Sequence, residues 1–175
     1  KEKKIFLFGF TYIIFLHFLE YLEKENLNFD LSNAVLIHGG GWKKLIDSGI
    51  SNVEFKSRLF KKTKLSQIHD YYGMVEQTGS IYLECEENYF HVSEFSDVII
   101  RNLKNLNVEE NGNPGLIQTI SIIPKSYPGH SILTEDIAIM RGQDDCKCGR
   151  KGKYFEFVGR VPKAELRGCS NTYSN

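Results

Sequence analysis

Residues 34–42 have the sequence AVLIHGGGW, in which four apolar residues are followed by a histidine, three glycines and a tryptophan. A short, wholly apolar run bounded by turn-forming residues is typical of a strand buried in a parallel sheet. A second such run, residues 5–8, ends at Gly9 and precedes a segment with apolar residues at helical spacing. These features predict a Rossmann-like βαβ unit with a parallel sheet. Because such sheets bind ligands beyond the carboxyl ends of their strands, the glycine loop is a candidate binding element.

The pattern changes from residue 81 onward, where short β-like runs alternate with turn formers such as the NGNPG of residues 111–115. The predicted strands include residues 81–85, 89–92, 98–101 and 116–123. We therefore expect residues 1–80 to form an α/β subdomain and residues 81–175 to form a mainly β subdomain.

A further helix is predicted within the first half, because residues 51–68 carry charged and apolar side chains in helical alternation. We expect Phe55, Leu59 and Phe60 to form the inner face of this helix. The stretch HDYYG, residues 69–73, is then expected to be a strand end and a turn.

The composition excludes some classes of protein. With 175 residues, of which 41% are hydrophobic, the chain can bury a substantial core. Its 22 basic and 22 acidic residues give a formal net charge of +0, which provides no basic field for a polyanion. We expect no binding to nucleic acid.

The apolar run of residues 5–18 follows three lysines but is not expected to be an export signal, since no small-residue cleavage site follows it. It is also shorter than the roughly 20 residues that a membrane-spanning helix needs. We expect no membrane span and a cytoplasmic location. The strand-like beginning without an initiator Met indicates a piece of a longer polypeptide.

Three cysteines and one histidine have the composition of a metal site. Cys146 and Cys148 lie in a predicted turn, and Cys85 and His91 lie on a predicted β-hairpin upstream. Three sulfurs and an imidazole make a complete tetrahedral zinc set, which would brace the fold because no coordination position stays open. The alternative is reduced thiols without a metal, and a disulfide between Cys146 and Cys148 would be badly strained.

Residues 71–79, YYGMVEQTG, resemble the aromatic-Gly-x-Thr-Glu signature of adenylate-forming enzymes. The resemblance implies that Tyr72 packs on adenine, that Gly73 belongs to the same nucleotide-binding turn and that Glu76 helps to hold Mg²⁺ beside the phosphates of ATP. A carboxylate suits this role because Mg²⁺ prefers hard oxygen ligands. Val75 departs from the usual Thr, and the alternative is a strand end with a surface glutamate.

Three further segments resemble elements of that superfamily and occur in the required order. The loop of Gly39, Gly40 and Gly41 resembles the one whose backbone lies along adenine, where the missing Cβ permits close approach. Asp136, in Thr-Glu-Asp, resembles the residue that accepts hydrogen bonds from the ribose hydroxyls. Arg160, after Gly159, resembles the arginine that contacts ribose or phosphate. The resemblance implies the fold of the C-terminal half of an adenylate-forming enzyme's large domain.

Within the superfamily the chain resembles the LuxE acyl-protein synthetases, with phenylacetate-CoA ligases as further relatives. The strings that carry the resemblance are HGGGWK (38–43), DYYGMVEQTGSIY (70–82), SYPGHS (126–131) and RGCS (167–170). The phenylacetate-CoA ligases share an arrangement similar to the cysteine and histidine set.

The LuxE resemblance implies that a carboxylic acid reacts with ATP to give an acyl-adenylate, and that the acyl group then moves to a cysteine near the C-terminus. Cys169 has that position, and a partner protein of the acyl-CoA reductase type would draw the acyl group from it. His130 is a candidate base for the transfer. The alternatives are an ordinary thiol at Cys169 and a histidine that only satisfies a loop carbonyl.

Two other functions stay open at this point. One is a phenylacetate-CoA-ligase-like enzyme that passes its acyl group to free CoA. The other is a non-catalytic, zinc-braced binding module in surface-polysaccharide or lipid assembly. The sequence lacks a Ser/Thr/Gly-rich loop followed by Lys, and it lacks a C-terminal lid. We therefore expect little or no turnover from the chain by itself.

Overall fold

The structure is a computed structural model that describes residues 4–40 and 49–161. The described chain divides between Asp70 and Tyr71 into two compact units, which we call the α/β unit and the β unit. The domain boundary near residue 80 stays a prediction, and residues 71–80 belong to the β unit in this division.

The α/β unit contains three parallel strands in the order β1-β2-β3. Strand β1, Ile5–Phe10, leads into helix α1 (Thr11–Ile13), a π-helical segment (Ile14–Leu19) and helix α2 (Glu20–Lys24). Strand β2 is Ala34–Gly39, helix α3 is Asn52–Thr63 and strand β3 is Gln67–Tyr72. The predicted parallel βαβ architecture is therefore confirmed.

Helix α3 has defined ends and one apolar face. The Ser51 side chain accepts a hydrogen bond from the backbone N–H of Glu54, and Lys64 ends the helix in the left-handed conformation. Phe55 and Leu59 are fully buried, as predicted, whereas Phe60 is 47% exposed. The prediction for Phe60 was wrong because residues 55 and 59 share a face at helical spacing, while the next residue turns about 100° away.

Strand β1 presents part of its apolar surface to solvent. Phe6 and Phe8 are 65% and 63% exposed, and they alternate with Leu7, which packs against the core of the α/β unit. Among the described strands, β1 pairs with β2 alone.

The β unit is an antiparallel sheet that begins with Tyr71 and Tyr72 of β3 and has the order β3-β4-β5-β9-β8-β7-β6. The further strands are β4 (Tyr82–Glu84), β5 (Phe90–His91), β6 (Ser96–Arg101), β7 (Pro114–Ser121), β8 (Ser131–Gln143) and β9 (Lys153–Arg160). Its core contains Tyr82, Val98, Ile117, Ala138 and Phe155. The mainly β second half is confirmed, and the four predicted strands correspond to β4 through β7.

In the part of the chain that the structure describes, no helix is long and apolar enough to span a membrane.

A buried histidine lies at the carboxyl end of β2. His38 is fully buried, its Nδ1 is 2.9 Å from Thr11 Oγ1, and the same nitrogen is 3.8 Å from Asp70 Oδ1. Burial lowers the pKa of His38 from 6.5 to about 3, and the positive charges of Lys56 and His69 act in the same direction. A neutral imidazole at the end of β2 therefore lies beside Thr11, which follows β1, and near Asp70 on β3.

We expect the complete protein to lose stability in mild acid because of His38. The unfolded chain binds a proton at His38 below pH 6.5 and the folded chain does not, so this stability is present above pH 6.5 and declines towards pH 3. The loss between pH 7 and pH 5 should be about 2 kcal/mol. Urea unfolding at the two pH values measures it. The substitution His38→Gln should remove that part of the pH dependence, and the exposed His17→Gln should not.

Candidate functional site

A bulge in strand β8 of the β unit shapes the candidate nucleotide site. Leu116 pairs with Ile137 and Gln118 pairs with Leu133, so β8 bulges between residues 133 and 137. Thr134 supports this bulge, because its Oγ1 donates to the carbonyl of Ile117 at 2.9 Å and accepts from the N–H of Asp136 at 3.1 Å. Bulges re-aim side chains, and this one carries Glu135 and Asp136.

Asp136 joins three strands through its carboxylate. The Tyr72 hydroxyl on β3 donates to Asp136 Oδ2 at 2.8 Å, and Arg160 Nε on β9 lies 3.2 Å from Oδ1. Arg160 Nη2 also contacts Glu135 Oε2 at 3.1 Å. We call Tyr72, Asp136 and Arg160 the Asp136 triad. The structure thus brings together three of the residues predicted for nucleotide binding.

Burial controls the ionisation of the triad. It raises the pKa of Asp136 above its usual value, an effect that the hydrogen bond from Tyr72 and the charge of Arg160 oppose. Burial also raises the pKa of Tyr72, and the adjacent Asp136 carboxylate adds to the shift. Tyr72 therefore stays a protonated hydrogen-bond donor at any physiological pH. The side chain of Asp136 is 18% exposed and remains accessible.

The ring of Tyr72 is part of an aromatic cluster. Its centroid lies between 5.7 and 6.4 Å from the rings of four residues, Tyr82, Phe90, Phe155 and Phe157. Tilted and edge-on pairs at such distances are favourable and fix the ring orientation. Packing of this ring on adenine stays a prediction.

Glu76 lies in a different local setting. It is exposed on the short 3₁₀-helix Val75–Gln77, and no hydrogen bond or ion pair among the described residues joins its side chain to the Asp136 triad. Glu76 borders a cavity of about 540 Å³, whose other lining residues are Val75, Thr78, Tyr127, Pro128, Gly129 and Ile132. In the preceding turn, a Cβ on Gly73 would lie 3.2 Å from the carbonyl oxygen of Ser80.

The remaining predicted residues are partly described. Gly39 ends β2 and is buried, and Gly40 has a φ of +68°, which favours glycine. His130 is exposed, and its carbonyl accepts a hydrogen bond from the N–H of Ser121 at 2.9 Å. Gly41 and Cys169 lie outside the described residues. The functional roles of these residues stay predictions.

The cysteine and histidine set lies at the other end of the β8–β9 hairpin. The ligating atoms of Cys85, His91, Cys146 and Cys148 all lie within 4.8 Å of one another. Cys85 Sγ is 4.0 Å from Cys146 Sγ, and Cys148 Sγ is 3.3 Å from His91 Nε2. Three of the four side chains are buried.

The two shorter separations are close to those of a tetrahedral zinc site. With Zn–S about 2.3 Å and Zn–N about 2.0–2.1 Å, neighbouring ligand atoms would lie about 3.6–3.8 Å apart. The N–H of Arg150 donates to Cys148 Sγ at 3.4 Å, and the His91 ring stacks on Tyr154 at 5.5 Å. Burial opposes ionisation of Cys148, but hydrogen bonds from Arg150 and the neighbouring thiols lower its pKa overall. The donor set is therefore suited to a metal that binds thiolate and imidazole.

Thr134 and Glu135 belong to the sequence motif that contains Asp136, but the motif gave neither of them a supporting role. Thr134 holds the bulge and Glu135 contacts Arg160. Both are adjacent to Asp136, but a sequence pattern does not show that a strand bulges.

The fold is that of adenylate-forming ligases. A 2-hydroxyisobutyryl-CoA ligase crystallised with 2-HIB-AMP and CoA superposes with a TM-score of 0.71 and 18% identity, over 89% of this chain and 33% of that chain. A long-chain-fatty-acid-CoA ligase from Archaeoglobus fulgidus gives 0.60 and 13%, over 90% of this chain and 34% of that one.

The chain belongs to the family described as acyl-protein synthetase, LuxE, whose sequence profile matches residues 1–175. Long-chain-fatty-acid–luciferin-component ligase from Aliivibrio fischeri is 26% identical over 99% of this chain and 46% of its own length. The Vibrio harveyi protein of the same name is 28% identical over 98% of this chain and 45% of its own length. The chain thus spans slightly less than half the length of these relatives.

We expect Tyr72→Phe to weaken the Asp136 triad. The substitution removes the hydrogen bond to Asp136, which should lower the free energy of unfolding by about 1–2 kcal/mol. Because this bond favours the ionised carboxylate, the pKa of Asp136 should rise further. Urea unfolding and NMR titration of the carboxyl carbon measure the two effects. Tyr21→Phe, on a tyrosine that is 55% exposed, is the matched control. If both quantities stayed unchanged in Tyr72→Phe, the hydrogen bond would have no energetic role.

Proposed function

We propose that the complete protein containing this chain activates a fatty acid with ATP and then passes the acyl group to Cys169. Membership of the LuxE family supports the reaction class. The observation that carries the proposal is the Asp136 triad, where a carboxylate suited to the ribose hydroxyls is fixed by Tyr72 and Arg160.

The proposed reaction has two steps. In the first, a carboxylate oxygen of the acid attacks the α-phosphorus of ATP, the bond to the β-phosphate oxygen breaks, and acyl-adenylate and pyrophosphate form. In the second, the thiolate of Cys169 attacks the acyl carbon, a C–S bond forms, and the C–O bond to AMP breaks. AMP leaves with the bonding electrons, and His130 is proposed to accept the thiol proton.

The Asp136 triad would orient the nucleotide. Asp136 would accept hydrogen bonds from the ribose hydroxyls, while Tyr72 and Arg160 hold the carboxylate so that it needs no reorganisation when ATP binds. Arg160 carries a positive charge that would also favour the α-phosphate.

Glu76 would hold Mg²⁺, which would neutralise phosphate charge as pyrophosphate leaves. Its exposed carboxylate beside a cavity supports this role, since Mg²⁺ is usually held by one or two carboxylates and otherwise keeps water. Gly73 would keep the preceding turn narrow. The backbone of Gly39, Gly40 and Gly41 would lie along adenine.

We further propose that Cys85, His91, Cys146 and Cys148 bind one structural zinc ion. The donor types and their spacing support this assignment. Four protein ligands would leave no position for substrate, so the ion would connect the β4–β5 hairpin to the β8–β9 turn.

A reducing cytoplasm suits both these thiols and Cys169. There, a partner protein of the acyl-CoA reductase type is proposed to receive the acyl group.

We expect fatty-acid-dependent exchange of labelled pyrophosphate into ATP by the protein of the complete reading frame. Glu76→Gln should reduce the exchange rate about 10²-fold, since it removes the carboxylate proposed to hold the Mg²⁺ that stabilises charge on the reacting phosphates. Glu87→Gln, on another exposed glutamate, is the matched control. Exchange that is unchanged in Glu76→Gln would contradict the role of Glu76, and no exchange with any carboxylic acid would contradict the proposed activity.

Substitutions of Cys169 and Cys146 should separate the two proposed cysteine sites, one for acylation and one for zinc. Cys169→Ser should keep pyrophosphate exchange and one zinc per chain but lose the covalent acyl label. Cys146→Ser should lose zinc, and thermal unfolding should occur at a lower temperature because three remaining ligands bind the ion less well. Radiolabelled fatty acid and elemental analysis measure the two sites. Label that persists in Cys169→Ser, or purified protein without zinc, would refute the corresponding assignment.

A further inference from the structure

The helix that carries Glu76 is too short to be stable by itself. Val75–Gln77 is one turn of 3₁₀-helix between an extended Met74 and a non-helical Thr78. A single turn fixes many dihedral angles for few hydrogen bonds, so its conformation must be imposed by the surroundings. Two side chains provide that support.

Gln77 fixes the helix from the interior of the β unit. It is 1% exposed, and its Nε2 donates to the carbonyl of Gly129 at 2.9 Å and to the carbonyl of Thr119 at 3.5 Å. Thr119 lies on β7 and is fully buried. The residue after Glu76 is thus connected to the sheet and to the 127–129 segment.

Tyr127 supports the residue that directly follows the helix. The hydroxyl oxygen of Tyr127 accepts a hydrogen bond from the N–H of Thr78 at 3.0 Å. The Tyr127 segment, residues 127–129, also lies close beneath Glu76. A Cβ on Gly129 would be 3.0 Å from the carbonyl oxygen of Glu76 and would clash with the Tyr127 ring. Glycine is therefore required at residue 129.

We infer that Gln77 and Tyr127 are positioning residues that fix the Glu76 carboxylate at the wall of the cavity beside the Tyr127 segment. The backbone that follows Glu76 is held at Gln77 and at Thr78, while the carboxylate itself stays exposed and can meet a ligand. This inference rests on the proposed role of Glu76 in holding Mg²⁺ with ATP. It adds that the strength of Mg²⁺ binding depends on two residues that touch neither the ion nor the nucleotide.

The test measures the benefit of Mg²⁺ to ATP binding in the protein of the complete reading frame. Calorimetric titration gives the Kd of ATP without and with Mg²⁺, and the ratio of the two is the Mg²⁺ benefit. Tyr127→Phe and Gln77→Met are each measured in the natural background and in the Glu76→Gln background. Gln143→Met, which changes an exposed glutamine on β8, is the matched control.

Each substitution should lower the Mg²⁺ benefit about fivefold in the natural background, the effect of one lost hydrogen bond. In the Glu76→Gln background neither should lower it further, because residues that act through Glu76 have nothing left to position. Equal fold-changes in both backgrounds, or no change in either, would overturn the inference. If the unsubstituted protein bound no ATP, or gained nothing from Mg²⁺, the proposed function itself would fail, which is a distinguishable result.

Discussion

The carboxylate of Asp136 is the point on which the candidate site depends. One oxygen accepts the Tyr72 hydroxyl and the other lies beside the Arg160 guanidinium, so side chains from β3, β8 and β9 meet at one group. A partly buried carboxylate is costly without partners, and here burial already raises its pKa. The bulge in β8 turns Asp136 towards these partners. The contacts of the carboxylate with Tyr72 and Arg160 therefore depend on the irregular backbone of this strand.

The β8–β9 hairpin connects this arrangement to the cysteine and histidine cluster. Asp136 pairs with Arg160 at one end of the hairpin, and Gln143 pairs with Lys153 at the other, next to the turn that carries Cys146 and Cys148. At about 3.4 Å per residue the two ends are separated by roughly 20–25 Å. The proposed zinc ion therefore lies too far from the nucleotide residues to take part in chemistry, and its effect would be on the rigidity of the hairpin.

Much of the fold could be predicted from periodicity, because apolar runs such as residues 34–37 and the spacing of Phe55 and Leu59 report burial directly. The long strands β8 and β9 were not among the strands named from the sequence, since Ser131–Gln143 carries charged residues and has register shifts that interrupt simple alternation. The residue types of both sites were visible in the sequence. The support that Gln77 and Tyr127 give to Glu76 was not, because it depends on contacts between residues about fifty positions apart.

The exposed aromatic residues of β1 matter for anyone who prepares this chain in isolation. Parallel sheets are normally covered on both faces, yet Phe6 and Phe8 are largely exposed at a strand that pairs with β2 alone among the described strands. Open strand edges beside aromatic surface promote self-association. Aggregation of such a preparation would then result from the exposed aromatic residues of β1, and inactivity measured on the aggregate would give no information about the nucleotide residues.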